Sequence, residues 1–207
     1  MKILENKDIL DIKERLIEKK KKVNGNYFAK IIFENKNKAK IWKFATRVDF
    51  FTPIPFFHEL LGIKKGKKFS METKKIKVVD EVLQKYEHNA FGFSESEKLL
   101  ISMRNWANSI CCTVYRYTNN LIDYFDGYIK WDKTFLDTVG TLTERVNDLQ
   151  FHVYLRGNNY WYIAVYEYKN NMVDKVYICC DWDVQYEYKF EYEKDLLKGV
   201  IKSHISI

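Results

Sequence analysis

Two short carboxylate–lysine pairs have the clearest chemical capacity in this 207-residue chain: Glu167-Tyr168-Lys169 and Glu187-Tyr188-Lys189. A carboxylate two positions before a lysine can bind Mg²⁺ while the ammonium orients an attacking water, as metal-dependent phosphodiester hydrolysis requires. Glu167 is the sharper candidate. Its strand face would also hold Trp161, Ile163 and Val165, where a carboxylate needs a partner or a role. Asp148 lies at a tolerable distance upstream for a second ligand. Against this reading, Lys169 sits at a turn, the neighbourhood is acidic, and no third carboxylate is specified. A solvated strand in so charged a chain also yields Glu-x-Lys by chance.

Other constellations are weaker. Asp181-Trp182-Asp183 could pair carboxylates at a metal, yet Asp is equally favoured in a turn between strands. Arg145 and His152, six residues apart in between, resemble the Arg…His spacing of one helical ribonuclease class. That resemblance departs locally, since His152 falls in a strand pattern and Val146 stands where a polar residue is usual. His58, His88 and His204 lie far apart with no ligand-spaced partner. The chain has no G-x-S-x-G, P-loop or G-x-G-x-x-G segment, and nothing in it implies a cofactor. The four cysteines form vicinal pairs, Cys111-Cys112 and Cys179-Cys180, which fit buried thiols rather than a disulfide framework or a zinc site.

Charge is the stronger signal. Residues 1–90 carry 22 Lys and Arg against 12 Asp and Glu, whereas residues 91–207 carry 13 against 16. Clustered ammonium groups favour a polyanionic partner, because neutralising phosphates releases counterions. The candidate contacts are Lys40, Trp42, Lys43 and Arg47 on one strand, then Lys64, Lys65, Lys67, Lys68, Lys74, Lys75 and Lys77. Trp42 would add a base-stacking surface to the cations. Lysine outnumbers arginine here, so backbone contact is expected rather than base readout, which leans on bidentate Arg. The competing reading of these lysines is a solvated surface.

A second candidate surface is aromatic. Tyr160, Tyr162, Tyr166 and Tyr168 alternate with Trp161, Ile163 and Val165, so the tyrosines would face outward if the other face packs on helices. Such a patch suits a protein partner, and its acidic neighbours Glu167, Asp174, Asp181 and Asp183 disfavour phosphates. The competing reading buries both faces.

The elements that must position these residues read as α+β. Apolar residues at 4, 9, 12, 16 and 17 define a basic N-terminal helix over 4–22, whose closing Lys19–Lys22 run suits the negative end of the helix dipole. Asn24-Gly25-Asn26 reads as a turn. Residues 27–34 and 39–48 then read as the strands of a β-hairpin. Pro53 and Pro55 demand extended chain before them. Residues 63–77 read as a lysine-rich loop, followed by a helix from about 72 to 87. The segment from His88 to Gly92 marks the expected boundary between a basic subdomain, 1–90, and a second, 91–207.

That second part opens on Ser94-Glu95-Ser96-Glu97, a helix capping box. Apolar residues at 99, 103, 106, 110, 114, 117 and 121 then suggest a helix over about 95–125. The strand formers Val114, Tyr115 and Tyr117 offer a rival that breaks it at 113–118. A second helix is expected over 132–150. Strands at 151–156, 160–168, 173–180 and 184–192 form an antiparallel meander that packs on these two helices, with a short helix or tail after it. The expected core includes Leu99, Met103, Trp106, Ile110, Val139, Leu142, Val146, Ile163 and Val165.

No apolar h-region or stretch of about 18 apolar residues occurs, so neither a signal peptide nor a membrane span is expected, and the expected setting is cytoplasmic. Abundant Lys, Asn, Ile, Tyr and Phe indicate an AT-rich genome, which accounts for part of the basic balance but not for its division between the halves. In style the chain resembles the small inhibitors that phages and mobile elements encode against host machinery, anti-CRISPR proteins among them. That resemblance implies a non-enzymatic protein engaging nucleic acid or a nucleoprotein machine through a basic face. The alternative is the Glu-x-Lys nuclease.

Overall fold

The computed structural model describes residues 5–23, 25–86, 88–106, 109–118, 121–130, 135–146, 149–156, 160–180 and 185–205. Four helices come early in the chain: α1 (Lys7–Lys22), α2 (Gly25–Lys38), α3 (Phe57–Leu61) and α4 (Ile76–Lys85). Three strands are interspersed with them: β1 (Ile41–Ala45), β2 (Lys68–Thr73) and β3 (Asn89–Phe93). Nine consecutive strands follow: β4 (Leu99–Trp106), β5 (Ser109–Thr118), β6 (Leu121–Lys130), β7 (Phe135–Val146), β8 (Leu149–Arg156), β9 (Tyr160–Lys169), β10 (Met172–Cys180), β11 (Gln185–Glu193) and β12 (Leu196–Ile205). The described strand pairs are antiparallel. Helices segregated from a run of antiparallel strands make this an α+β fold that ends in a β-meander.

The chain divides into two units that are not consecutive in sequence. One takes in Val23–Arg116 with Tyr124–Thr138, and the other joins α1 to the strands of the C-terminal third. The first unit is a sheet in the order β5-β4-β3-β1-β2 with α2 and α4 on one face. Pairing sets Trp42 beside Gly92 and Phe44 beside Ala90. It continues Ala90 to Met103 and Cys112, and Gly92 to Ile101 and Val114. These residues are the buried stripe that receives Phe28, Ile31 and Ile32 of α2 and Val79, Val82 and Leu83 of α4. In the second unit, Ile9, Ile12 and Leu16 of α1 pack against Val153, Ile163, Val165, Tyr177 and Cys179. Lys13 Nζ lies 4.6 Å from the centre of the Trp161 ring and covers the edge of this core.

Gly92 of β3 sits where β1, β4 and the residue that follows α2 leave no room for a side chain. A Cβ there would stand 2.8 Å from Ala39 Cβ, 2.9 Å from Ile101 Cγ2 and 3.0 Å from the Trp42 ring. All three neighbours are buried and none can swing into solvent. Gly92→Ala is therefore expected to lower unfolding free energy by about 1–3 kcal/mol, the cost of overpacking a filled core. Urea denaturation checks this, and unchanged stability would show that the packing over β3 has slack.

Several expectations from the sequence are corrected. Residues 27–34 lie in α2 and not in a hairpin strand. The buried residues of α2, Phe28, Ile31, Ile32 and Asn35, follow helical spacing, and Asn35 Nδ2 donates to the Ile31 carbonyl oxygen at 2.8 Å. The strand beginning near residue 39 is real but short, and β1 pairs with β2 and β3. Within the lysine-rich segment, residues 68–73 form β2, and the helix after it is α4. The 1–90 boundary falls inside β3, which is paired on both sides.

The two long helices expected over 95–125 and 132–150 are strands β4 to β8. Ser94 does satisfy a backbone donor, but in a hairpin turn. Its Oγ accepts from the Lys98 N–H at 3.1 Å, its own N–H donates to the Lys98 carbonyl oxygen at 2.9 Å, and Glu97 takes a left-handed φ of 57°. Residues 196–205, expected as a short helix or tail, form β12. Of the expected core, Leu99, Met103, Ile163 and Val165 are buried and Ile110 is half-buried. The side chains of Trp106, Val139, Leu142 and Val146 lie outside the described residues. Cys111, Cys112 and Cys179 are buried thiols, and burial pushes the Cys112 thiol up.

Candidate nucleic-acid interface

The basic residues singled out in the sequence all fall on the first unit, and β2 organises most of them. This strand closes one side of the unit's sheet and is exposed on both faces except at Phe69 and Thr73. Lys64, Lys65, Lys67 and Lys68 stand at its start, and Lys74, Lys75 and Lys77 follow its end. At about 3.3 Å per residue the strand separates these two groups by roughly 17 Å. All seven are exposed. Lys40 joins the second group, lining an open hollow with Lys74, Asn37 and Glu95.

Local chemistry fixes the first group. Gly66 has φ +85°, and a Cβ there would lie 2.8 Å from Thr46 Oγ1 and 2.9 Å from Arg47 Cγ. Only glycine lets the lysine segment run this close to the end of β1. The Lys67 N–H donates to Thr46 Oγ1 at 2.9 Å, and the Thr46 N–H donates to the Lys67 carbonyl oxygen at 3.0 Å. The segment is thus tied to the sheet by its backbone, leaving its ammonium groups to face solvent. Lys65 Nζ lies 5.3 Å from the centre of the Phe50 ring.

Three of the nominated cations are less available. Arg47 makes a bidentate pair with Asp49, at 3.0 and 2.8 Å. Burial opposes ionisation of Asp49, yet the hydrogen bonds and charge of Arg47, with His58 adding to them, hold its carboxyl below the usual range. Lys68 meets Glu72 at 3.1 Å. Lys43 pairs with Glu72 in the sheet register and places its ammonium 5.1 Å from the Phe93 ring centre. Trp42 is corrected outright: it is 1% exposed, inside the core, and cannot stack on a base.

The aromatic surface that is present was not nominated. His88 stacks on Phe69, with centroids 4.0 Å apart and 18° between planes. It also stacks on Tyr86, at 5.3 Å and 24°. Tyr86 is 56% exposed, while Phe69 and His88 are half-buried. The clue in the sequence was the Tyr86–His88 spacing just beyond an amphipathic helix, but the partner ring comes from β2.

The second unit treats its nominated residues differently. Tyr166 is fully buried, and Tyr162 and Tyr168 are half-buried. The Tyr168 hydroxyl donates to Gln150 Oε1 at 2.7 Å. Tyr166 is therefore not presented outward: Ile163 and Val165 pack under α1, and Ala164, Tyr166, Val176 and Ile178 are buried on the opposite face. The Tyr160 side chain lies outside the described residues.

Glu167, the proposed metal ligand, accepts from the Tyr177 hydroxyl at 3.3 Å and pairs across the sheet with Lys175. Tyr177, followed by Glu187, raises the Lys175 ammonium above its usual value. A capped, lysine-flanked carboxylate is the structural solution to partial burial. Lys169 is exposed at the end of β9, and Asp148 and Asp181–Asp183 lie outside the described residues. Glu187 sits 3.7 Å from Lys175, and Lys189 is exposed. Among the described residues no three His, Cys, Asp or Glu side chains gather as a metal-binding group. No helix among them is long and apolar enough to cross a membrane.

Comparison with protein-family models, curated proteins and solved structures finds no match to this chain, so the reading below rests on its own geometry.

Proposed function

We propose that the unit built on α2–α4 and β1–β5 is a non-enzymatic binding module for nucleic acid, free or within a nucleoprotein. It would contact phosphates through the lysines that bracket β2. One observation carries this reading. Counted over its sequence ranges, this unit holds 19 Lys and Arg against 12 Asp and Glu, so the chain's whole formal charge of +7 belongs to it and the other unit is neutral. Seven exposed lysines at the two ends of one edge strand concentrate that charge where a phosphate backbone could run between them. Lysines on an edge strand also block edge-to-edge pairing. That role does not require the matching groups beyond each end of the strand, nor the glycine that holds one of them against the sheet.

Binding through about six lysines makes the logarithm of affinity fall with the logarithm of salt at a slope near −4 for single strands and −5 for duplex. Fluorescence anisotropy with labelled oligonucleotides between 50 and 300 mM NaCl measures it. A salt-independent affinity, or no binding at low salt, refutes the reading.

A further inference from the structure

We infer that Tyr86, His88 and Phe69 form a base-stacking platform, and that the polyanion this unit takes is single-stranded nucleic acid. The inference rests on the phosphate-binding reading above and deepens it. Successive bases of a single strand offer open π-faces that a paired duplex keeps stacked, and aromatic side chains beside a cationic track are the means of holding them.

The placement of the rings supplies both parts. Phe69 follows Lys68 directly in β2, and Tyr86 follows exposed Lys85 at the end of α4. His88 immediately precedes Asn89, which pairs with Ala45, and the next residue, Thr46, is hydrogen-bonded to Lys67. Lysine segment and ring array therefore share one end of the sheet. Packing explains the inner ring only: Phe69 borders the buried core, but Tyr86 lies outside it. A tyrosine more than half exposed, held nearly parallel to a neighbouring ring, is already oriented for a flat ligand and loses little freedom on receiving one. The surrounding charge selects among flat ligands. Lys64, Lys65, Lys67 and Lys85 are exposed there, and the nearby Glu72 is engaged by Lys68.

The test uses the full chain with labelled 12-nucleotide oligo-dT, oligo-U and a duplex of equal length, read by anisotropy at one salt concentration. Single strands are expected to bind more tightly than duplex. Tyr86→Ala should weaken single-strand binding roughly 5- to 100-fold while leaving duplex affinity unchanged, and Tyr86→Phe should restore it, since the ring and not the hydroxyl is required. Circular dichroism confirms that each variant is folded. If Tyr86→Ala binds oligo-dT and oligo-U as the parent does, while glutamates at Lys64, Lys65, Lys67 and Lys68 abolish binding, the platform is overturned and the phosphate-binding reading stands. Tighter binding to duplex overturns the platform as well. If the parent protein binds none of the three probes, both readings fall.

Discussion

Replacing Lys64, Lys65, Lys67 and Lys68 together by Glu is expected to cut oligonucleotide affinity by two to four orders of magnitude at low salt. The four positions flank Gly66, whose φ of +85° presses the segment against Thr46 and Arg47 and keeps it from folding away. Lys64 and Lys67 should account for most of the loss, because Lys68 already shares its charge with Glu72 and Lys65 lies over Phe50. The salt dependence should flatten in the same variant by about 3 in slope, as four phosphate contacts disappear. The matched control is Lys169→Glu with Lys189→Glu, two exposed lysines on the neutral unit, which should leave affinity within a factor of about two at moderate salt, where distant charges are screened. A loss in the control about half as large on the logarithmic scale, in proportion to the charge reversed, would mean that net charge alone is being measured. Unchanged affinity in the fourfold variant would show these lysines to be solvated surface and no more.

How much of this was legible in the sequence depends on what each signal measures. The lysine segment was, because charge needs no fold to be seen. So was the C-terminal meander, where alternation in 186–192 survives as buried Tyr188 and Phe190 between exposed Lys189 and Glu191. The stretch 95–125 misled because a period-two pattern read through a hairpin turn imitates a helical one. Residues 99, 103, 110 and 114 are four or seven apart in sequence, but they lie on strands running in opposite directions, with Met103 opposite Cys112 and Ile101 opposite Val114. β-Branched and aromatic residues were the better guide there, as Thr113, Val114 and Tyr115 indicated, and as Thr138, Val139, Thr141 and Thr143 did in β7. Residues 27–34 failed in the opposite sense, since Tyr, Phe and Ile favour strands in isolation while Phe28, Ile31 and Ile32 were needed to cover the sheet. Trp42 lies beside Lys40 and Lys43 in sequence, yet strand alternation sends it to the other face from Lys43, into the core. Of the stacked rings only the Tyr86–His88 spacing shows in the sequence, because Phe69 reaches His88 only once β2 and β3 are both aligned with β1.

Asp126 should make the protein less stable at neutral pH than at pH 4.5, against the usual trend for a carboxylate. Burial lifts its carboxyl to about 6, although a hydrogen bond from Thr113 and the charge of Arg104 pull the other way. In the unfolded chain the same group titrates near 3.9. Between those two values the folded state holds a proton that the unfolded state has lost, so stability falls as pH rises through the window and levels off above the folded value. The interval from near 3.9 to about 6 sets an upper limit of about 3 kcal/mol, and partial exposure of the side chain reduces it to on the order of 1–2 kcal/mol. Asp49 acts with the opposite sign: its carboxyl is held below the ordinary range, so its contribution is lost at and below the unfolded carboxylate value, adds little above pH 4.5 and is common to both proteins compared. Asp126→Asn keeps the side-chain shape and a carbonyl oxygen for Thr113 while removing the charge. Chemical denaturation of both proteins from pH 4.5 to 7.5 isolates the effect as their difference. The variant should match the parent or fall slightly below it at pH 4.5 and gain on it steadily to pH 7, becoming the more stable of the two. A difference that stays constant across the series would place the Asp126 carboxyl at its ordinary value and show that the face of β5 and β6 around Thr113 is wetter than its packing implies.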